Sequence, residues 1–153
     1  MTDYEMRRAR PADFDAIIGV ADEWWGRSIA GALPRLFLDH FFATSSVAES
    51  SGEMTAFLIA FISPSQPADA YIHFVGVHPR HRQSGLARRL YEDFFVLAMA
   101  AGRTRLTAVT SPVNTGSIAF HQRLGFTVSE PITGYNRPGA AHVLFERSLA
   151  PLT

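Results

Sequence analysis

The residues best suited to chemistry lie between Arg80 and Ala87, where an apolar segment gives way to a helical pattern. This stretch combines two arginines, Arg80 and Arg82, with a glycine, Gly85, at the position where the helix is predicted to begin. The first N–H groups of a helix have no partner inside it, and the helix dipole adds partial positive charge at the same end. A glycine there allows an anion to approach the backbone closely. The stretch therefore predicts a site for a phosphate or a pyrophosphate.

This phosphate site is neither of the two commonest kinds, because the sequence contains no Gly-Lys-Ser/Thr of an NTPase and no G-x-G-x-x-G of a dinucleotide fold. Residues 82–87, Arg-Gln-Ser-Gly-Leu-Ala, follow Val77-His78-Pro79. They resemble the Arg/Gln-x-x-Gly-x-Gly/Ala signature of the GNAT superfamily of acyl-CoA-dependent N-acyltransferases. Residues 114–126 resemble a second motif of that family, an Asn-x-x-Ser/Ala helix that ends at a Gly-Phe strand start.

The resemblance covers nearly the whole chain and implies a fold. It implies a mixed, mostly antiparallel central sheet of six to seven strands, flanked by about four helices, with strands splayed apart at the acetyl-CoA site. We therefore expect an α/β (α+β) fold of the GNAT type. We also expect residues 1–153 to form a single N-acetyltransferase domain.

The resemblance further implies that acetyl-CoA is the acyl-donor cosubstrate. Backbone groups of the strand before the motif would pair with the pantetheine arm, and the N–H groups from Arg82 to Ala87 would hold the pyrophosphate. The side chains of that strand are interpreted as ordinary buried residues. Asn114 is also a suitable helix cap, and capping is compatible with cofactor contact. The residues expected to bind the cofactor are Val75, Gly76, Val77, Arg82, Gln83, Ser84, Gly85, Leu86, Ala87, Arg88, Asn114 and Ser117.

Acetyl transfer to an amine requires two further groups. A primary amine with a pKa of about 10 is mostly protonated at neutral pH, so a base must supply the free amine. Attack on the thioester carbonyl then builds an oxyanion that needs preorganised donors, and the resemblance assigns a strand N–H near Val77 to that task. The chain has no cysteine, which excludes an acyl intermediate on a cysteine of the enzyme. We therefore expect direct attack within a ternary complex.

Two histidines are candidates for proton transfer. His73 lies four residues before Val77, so both share one face of the strand, at a position where family members often carry a Glu or His base. His121 stands where the family usually has a tyrosine acid, on one helix stripe with Ser117. Because this tyrosine is replaced, the identity of the acid stays open. The alternatives are a hydrogen-bonded strand histidine for His73, and a pantetheine contact or a partly exposed helix residue for His121.

The resemblance places the acceptor beside the end of the first helix, the second helix and a late loop. The residues assigned to substrate binding are Glu23, Trp24, Trp25 and Tyr135. Glu23 is suited to pairing with a cationic amine, and a tryptophan ring is suited to stacking on one. Core packing is the alternative for both tryptophans and is favoured for one of them, although the sequence does not say which.

Composition and charge narrow the set of partners. Fourteen basic and fourteen acidic side chains give a formal net charge of zero, which argues against a broad nucleic-acid surface. No apolar run approaches the ~18 residues of a membrane span, so we expect a cytoplasmic protein that engages no membrane. The absence of cysteine excludes Cys-based zinc sites, and no metal is expected. A homodimer is left open.

Periodicity and turn residues predict the elements that must position these groups. An apolar stripe from Phe14 to Ala21 predicts a first helix after Pro11, and Pro34 opens a second. The second helix is predicted over Leu33–Phe42. Two later helices are predicted over Gly85–Ala101 and Asn114–Leu124. The predicted strands are Tyr4–Arg8, Thr44–Glu49, Thr55–Ile62, Tyr71–Val77, Arg105–Thr110, Phe126–Ser129 and His142–Ser148.

The leading hypothesis is an N-acetyltransferase that acts on the primary amine of a small molecule, because the aromatic residues of the first two predicted helices favour an enclosed pocket. Two alternatives stay open. One is an enzyme that acetylates a protein N-terminus or a lysine, for which an open, polar cleft is expected. The other is a non-catalytic acyl-CoA-binding module that has lost activity together with the family's tyrosine.

Overall fold

The computed structural model describes residues 3–26 and 28–149, which form a mixed α/β fold. Within this part of the chain there are four α-helices and eight strands. The helices are α1 (Phe14–Trp25), α2 (Leu36–Phe41), α3 (Leu86–Ala100) and α4 (Thr115–Arg123). The strands are β1 (Glu5–Arg8), β2 (Ser46–Ser50), β3 (Glu53–Ile62), β4 (Asp69–Val77), β5 (Arg105–Thr110), β6 (Thr127–Val128), β7 (Ile132–Thr133) and β8 (Ala141–Ser148).

The chain divides into two compact units. The first comprises Met1–Phe61 and Ile72–Leu97, and the second comprises Ile62–Tyr71 and Ala98–Thr153. The hydrogen-bonded strand order is β1-β2-β3-β4-β5-β8-β6, with β7 also paired to β8. None of the helices in residues 3–26 and 28–149 combines the length and the apolar character that a membrane crossing needs.

In the first unit, an antiparallel hairpin supports the strand that leads to the predicted phosphate site. β2 and β3 pair with Val47 opposite Phe57. Ser51 and Gly52 close the hairpin, and both have positive φ, 52° and 80°, as a tight turn between twisted strands requires. β1 pairs antiparallel with β2 on its other side.

The core of the first unit forms between α1, α2 and the hairpin. Ile17, Leu38 and Phe57 are fully buried there, and Trp24 joins them with 4% of its surface exposed. The ring of Phe57 leaves no room for a side chain on β4, because a Cβ placed on Gly76 would lie 2.6 Å from two of its carbons. Gly76 is therefore required by packing in addition to any role of its backbone.

In the second unit, β5 is the central strand. It pairs in parallel with the start of β4, where Asp69 lies opposite Arg105, and antiparallel with β8. The guanidinium of Arg105 binds the carboxylate of Asp69 with two hydrogen bonds, of 2.7 and 3.1 Å. β6 and β7 both pair antiparallel with β8.

The predicted fold class is confirmed, with small differences in the elements. The eighth strand, β7, was not expected, because two residues in a Gly- and Pro-rich segment are too short to show an alternating pattern. The second helix is shorter than the predicted Leu33–Phe42. A 3-10 turn, Ala30–Ala32, and Pro34 precede it, and a second 3-10 turn, Phe42–Thr44, follows it.

The packing of Gly76 against Phe57 yields the first prediction. Gly76→Ala should lower the free energy of unfolding by about 1–3 kcal/mol, because the ring must shift to admit the methyl group. The matched control is Gly19→Ala in α1, where a Cβ meets nothing within 4 Å, and which should raise stability by about 0.5–1 kcal/mol. Urea unfolding of both variants at pH 7 tests this, and a Gly76→Ala protein as stable as Gly19→Ala would contradict it.

Candidate active site

The segment between β4 and α3 is turned by contacts of its own side chains. After β4 ends at Val77, the chain makes a 3-10 turn over Pro79–His81. The Nδ1 atom of His78 accepts a hydrogen bond from the backbone N–H of Arg80 at 3.0 Å and caps this turn. The ring of His81 is bonded to the hydroxyl of Tyr4 at 2.7 Å, which ties the turn to the residues before β1.

The next four residues, Arg82–Gly85, form what we term the cofactor loop. They are exposed, and two of them adopt left-handed backbone conformations, with φ of 63° at Gln83 and 80° at Gly85. Such a conformation is costly for a residue with a Cβ and is found mainly where function requires it. Backbone N–H groups in turns of mixed handedness point into a common concavity that suits an anion.

The start of α3 leaves backbone donors available beside the cofactor loop. The N–H of Arg89 donates to the carbonyl of Gly85 at 3.1 Å. Among the described residues, no backbone carbonyl accepts a hydrogen bond from the backbone N–H groups of positions 83–88. Gly85 has open space on its Cβ side, so a ligand could approach its backbone directly. The loop and the helix start thus have the geometry and polarity of a diphosphate site.

The two arginine side chains predicted to bind the cofactor have partners within the protein. The guanidinium of Arg82 donates a hydrogen bond to the backbone carbonyl of Trp24, at the C-terminal end of α1. Arg88 lies 3.7 Å from the carboxylate of Glu92, one turn further along α3, in an exposed pair. Any binding by this segment would therefore rely first on its backbone.

A polar cavity of about 740 Å³ opens beside His81, on the side of the β2–β3 turn. It is lined by the acidic residues Asp3, Glu5 and Glu49. Carboxylates repel phosphate groups, so this cavity is unsuited to the diphosphate of a coenzyme.

The C-terminal half of β4 presents the peptide groups that the sequence assigned to the cofactor arm. The N–H of His78 donates to the carbonyl of Thr55 in β3 at 2.8 Å. Peptide groups of successive residues in a strand point to opposite edges, so those of Val75 and Val77 are directed away from β3. The indole N–H of Trp25 donates to the carbonyl of Val75 at 3.2 Å on that edge.

His73, on the same strand, is held in one orientation and one tautomer. Its Nε2 lies 2.8 Å from the carbonyl of Ala32, and its ring stacks on Phe37 with 4.1 Å between centroids and 7° between planes. Because a carbonyl only accepts, Nε2 carries the proton and Nδ1 is the basic nitrogen. Burial lowers the pKa of His73 below its ordinary 6.5, against the opposing effect of the hydrogen bond that the ring donates to the carbonyl of Ala32, so the ring is neutral at pH 7.

The two tryptophans at the end of α1 have different environments. Trp24 is a core residue, stacked on Phe57 with 5.9 Å between ring centroids. Trp25 is half-buried, with its ring 4.9 Å from that of Phe74. Trp24 is thus the tryptophan that packs in the core, whereas Trp25 keeps accessible surface. Glu23 is exposed on the last turn of α1.

In the second unit, α4 begins with the expected cap. The side-chain oxygen of Asn114 accepts a hydrogen bond from the N–H of Ser117, and its amide nitrogen donates to the hydroxyl of Thr110 at 3.2 Å. Gly125 ends the helix with φ of 90°. Tyr135, the remaining residue assigned to the substrate, is half exposed and lies 6.4 Å from the ring of His142.

His121 is a core residue of the second unit. Only 4% of its surface is exposed, and its ring stacks on Phe145 with 3.9 Å between centroids. Its Nδ1 lies 2.8 Å from the carbonyl of Ser117 and therefore carries a proton. Burial lowers the pKa of His121 to about 4, with the hydrogen bond to Ser117 acting in the opposite direction. A ring that is neutral at pH 7 is a poor proton donor, which favours a packing role over that of general acid.

The chain belongs to the acetyltransferase (GNAT) family, whose model matches residues 22–126. The matched range includes α1 from Asp22, the whole of β4, the cofactor loop and α4. The family resemblance noted in the sequence is therefore confirmed.

Curated relatives and a solved structure agree with this family. The L-2,4-diaminobutyric acid acetyltransferase of Marinococcus halophilus is 31% identical over 105 residues, 64% of this chain and 61% of that protein. The L-methionine sulfoximine/L-methionine sulfone acetyltransferase of Salmonella typhimurium is 39% identical over 57 residues, 37% of this chain and 33% of that protein. The chain thus spans less than two thirds of each of these relatives.

The solved structure is the diaminobutyrate acetyltransferase EctA of Paenibacillus lautus, in complex with L-2,4-diaminobutyric acid and coenzyme A. The TM-score is 0.76 at 19% identity, and the match covers 100% of this chain and 99% of that one. At this identity the likeness establishes a common fold.

Sequence reasoning did not identify the partners that fix His73. Ala32 contributes only a carbonyl, for which no side-chain signal exists. Phe37 lies on the second predicted helix, where an aromatic residue is compatible with any buried face. Their contact with a strand some 40 positions later depends on how the chain folds back.

The burial of His121 yields a prediction on stability and pH. As the pH falls from 6.5 to 4, the unfolded chain takes up this proton before the folded one, so the free energy of unfolding should decrease by up to about 3 kcal/mol. His73, whose pKa is also lowered, adds a dependence of the same sign. His121→Phe should remove the larger part of the decrease, as measured by urea unfolding at pH 7 and pH 4.5.

The control for this prediction is His40→Gln, which alters an exposed histidine of α2 and should keep the full decrease. If the free energy of unfolding of His121→Phe decreases on acidification as much as that of the unmodified protein, the buried ring of His121 does not cause the decrease.

Proposed function

We propose that this chain is an N-acetyltransferase that transfers the acetyl group of acetyl-CoA to the primary amine of a small molecule. The transfer proceeds by direct attack within a ternary complex. The observation that carries the proposal is the cofactor loop, with left-handed residues at Gln83 and Gly85 and backbone donors available at the start of α3. These donors match the diphosphate of coenzyme A in charge and in hydrogen-bonding capacity.

The adjoining strand supports the placement of the rest of the cofactor. The peptide groups of Val75 and Val77 lie on the edge of β4 that is directed away from β3, and they are the groups proposed to pair with the pantetheine arm. With the arm on that edge, the N–H of Val77 is suited to stabilise the oxyanion that forms on the thioester carbonyl. The donors proposed for the diphosphate follow a few residues later in the chain.

His73 is the proposed general base. Its ring is neutral at pH 7 and held by Ala32 and Phe37, so Nδ1 can accept a proton from the ammonium form of the substrate, directly or through a water molecule. The freed amine attacks the acetyl carbonyl, and its nitrogen carries a positive charge in the tetrahedral intermediate. As the intermediate collapses and the C–S bond breaks, this nitrogen loses its second proton and the coenzyme A thiolate takes one up, so that the products are the amide and the thiol. We assign no residue of this chain to that second transfer, and the proton taken by His73 is released to solvent.

A small-molecule acceptor is supported by two observations. The curated relatives are named for acetylation of one amino acid and of two methionine analogues, although each matches the chain only in part. The surroundings of His73 are aromatic, with Phe37 stacked on its ring and Phe74 edge-on at 5.6 Å. Trp25 and Glu23, at the end of α1, are the proposed contacts for the acceptor.

A non-catalytic acyl-CoA-binding module is the second candidate, because His121 is a buried neutral ring at the position where the family usually has a tyrosine acid. Such a module would bind acetyl-CoA and release no thiol with any acceptor. The two candidates therefore differ in turnover and agree in cofactor binding.

The cofactor loop yields a binding prediction. Gly85→Val should weaken acetyl-CoA binding at least 100-fold in titration calorimetry, because a branched residue strains a φ of 80° and blocks the approach of the diphosphate. Gly102→Val is the matched control. Gly102 has φ of 75° and open space at the end of α3, so its replacement imposes a similar backbone strain and should leave acetyl-CoA affinity within about threefold. Equal affinity of both variants would contradict a cofactor site at Gly85.

The proposed base yields a kinetic prediction. His73→Gln should lower kcat by about 10²–10⁴-fold with little loss of acetyl-CoA affinity, because the amide can still donate to the carbonyl of Ala32 but cannot accept the proton. In the unmodified enzyme, kcat/KM should fall on acidification through a pKa below 6.5, and this acid limb should be absent in the variant. Identical pH profiles for the two proteins would remove His73 from the mechanism.

The decisive experiment is an amine panel with detection of free thiol. Acetyl-CoA is incubated with L-2,4-diaminobutyrate, methionine sulfone, other small amines, and peptides with a free N-terminus or a lysine. Thiol release above background with a small amine supports the proposal. Thiol release only with peptides would point to a protein acetyltransferase. If none of the acceptors leads to thiol release in a protein that still binds acetyl-CoA, the result would point to the non-catalytic module.

A further inference from the structure

The last turn of α1, residues Asp22–Trp25, contacts the cofactor loop, β4 and the segment that orients His73. We term this segment the coupling turn. It ends at Gly26, which has φ of 73° and whose N–H donates to the carbonyl of Asp22 at 2.9 Å. A helix end closed in this way is locally rigid and can hold neighbouring elements in place.

The coupling turn contacts the cofactor loop through Trp24. The backbone carbonyl of Trp24 accepts the hydrogen bond from the guanidinium of Arg82. The indole ring of Trp24 lies edge-on to His78, 5.4 Å between centroids, and His78 caps the turn that leads into the loop. Because Trp24 is 4% exposed and stacked on Phe57, its carbonyl is a fixed anchor for the loop.

The coupling turn contacts the strand, and the segment that orients the base, through its other residues. Trp25 donates its indole N–H to the carbonyl of Val75, on the edge of β4 proposed for the cofactor arm. The carboxylate of Asp22 accepts hydrogen bonds from the N–H groups of Ile29 and Ala30, both at 2.7 Å. These residues lead into the 3-10 turn whose Ala32 carbonyl holds His73.

We infer that the coupling turn is a positioning element of the reaction, and that Arg82 transmits occupation of the cofactor loop to this turn and through it to the base His73. This inference rests on the proposed function. Arg82 acts as a hydrogen-bond donor to the Trp24 carbonyl, so its N–H groups matter more than its charge. Arg82 is then a positioning residue, and the diphosphate is bound by the backbone of the cofactor loop.

The sequence offers a direct probe of this segment. The chain contains two tryptophans, Trp24 and Trp25, and both belong to the coupling turn. Intrinsic tryptophan emission therefore reports on this turn alone. Saturating acetyl-CoA should change the emission of the unmodified protein, and the calorimetric affinity measured on the same sample shows when saturation is reached.

The test compares Arg82→Gln with Arg82→Met. Glutamine keeps an N–H donor without the charge, whereas methionine, whose side chain is about as long as that of glutamine, has neither donor nor charge. We expect Arg82→Gln to weaken acetyl-CoA binding less than threefold and to keep most of the emission change. We expect Arg82→Met to weaken binding about tenfold and, once saturated, to show less than a third of the emission change.

Two controls exclude trivial causes. Arg89→Gln removes a nearby exposed positive charge on α3, and it should show the full emission change. Thermal unfolding of each variant verifies that the exposed substitutions leave the fold intact.

Three outcomes would overturn the inference. The first is an unchanged emission in the unmodified protein saturated with acetyl-CoA. The second is an equal emission change in saturated Arg82→Met. The third is an equal loss of affinity in Arg82→Gln and Arg82→Met, with a smaller salt dependence in both, which would make the charge of Arg82 a phosphate ligand. Failure of the unmodified protein to bind acetyl-CoA would instead refute the proposed function, and this inference with it.

Discussion

The backbone donors at the start of α3 impose the strongest constraint on the first unit. A helix start leaves its first N–H groups without acceptors, and here the preceding loop turns through left-handed conformations at Gln83 and Gly85 and does not shield them. An arrangement of this kind is stable only where water or an anion supplies the acceptors. The short turn after β4, capped by His78, directs the chain so that these donors come immediately after the strand.

The end of α1 matters because it meets the loop, the strand and the segment that orients His73. Each of these hydrogen bonds involves a main-chain group. Trp25 donates to the carbonyl of Val75, and the carbonyl of Trp24 accepts from Arg82. The carboxylate of Asp22 accepts from two backbone N–H groups. Contacts of this kind fix the positions of main-chain groups, and main-chain groups are what the proposed site uses for the diphosphate and the oxyanion. The proposed mechanism uses the chemistry of a side chain at one place, His73.

The two histidines show how the environment decides the role of a residue type. Both rings are neutral at pH 7 because burial disfavours the charged form, and both donate one N–H to a backbone carbonyl. His73 lies half-buried on the strand that leads to the cofactor loop, whereas His121 is enclosed by Phe145 and the start of its own helix. The same chemistry thus yields a candidate base in one unit and a packed core residue in the other.

The sequence by itself determined the order and type of most elements, the caps at Asn114 and Gly125, and the family to which the chain belongs. Local rules govern these features, since helix periods, cap residues and the Arg82–Ala87 motif are read within a few positions. Which tryptophan is buried, which carbonyl orients His73 and what Arg82 binds were decided only by tertiary structure. These contacts join residues about 40 to 60 positions apart, and no local pattern records which side chain will meet which carbonyl once the chain has folded.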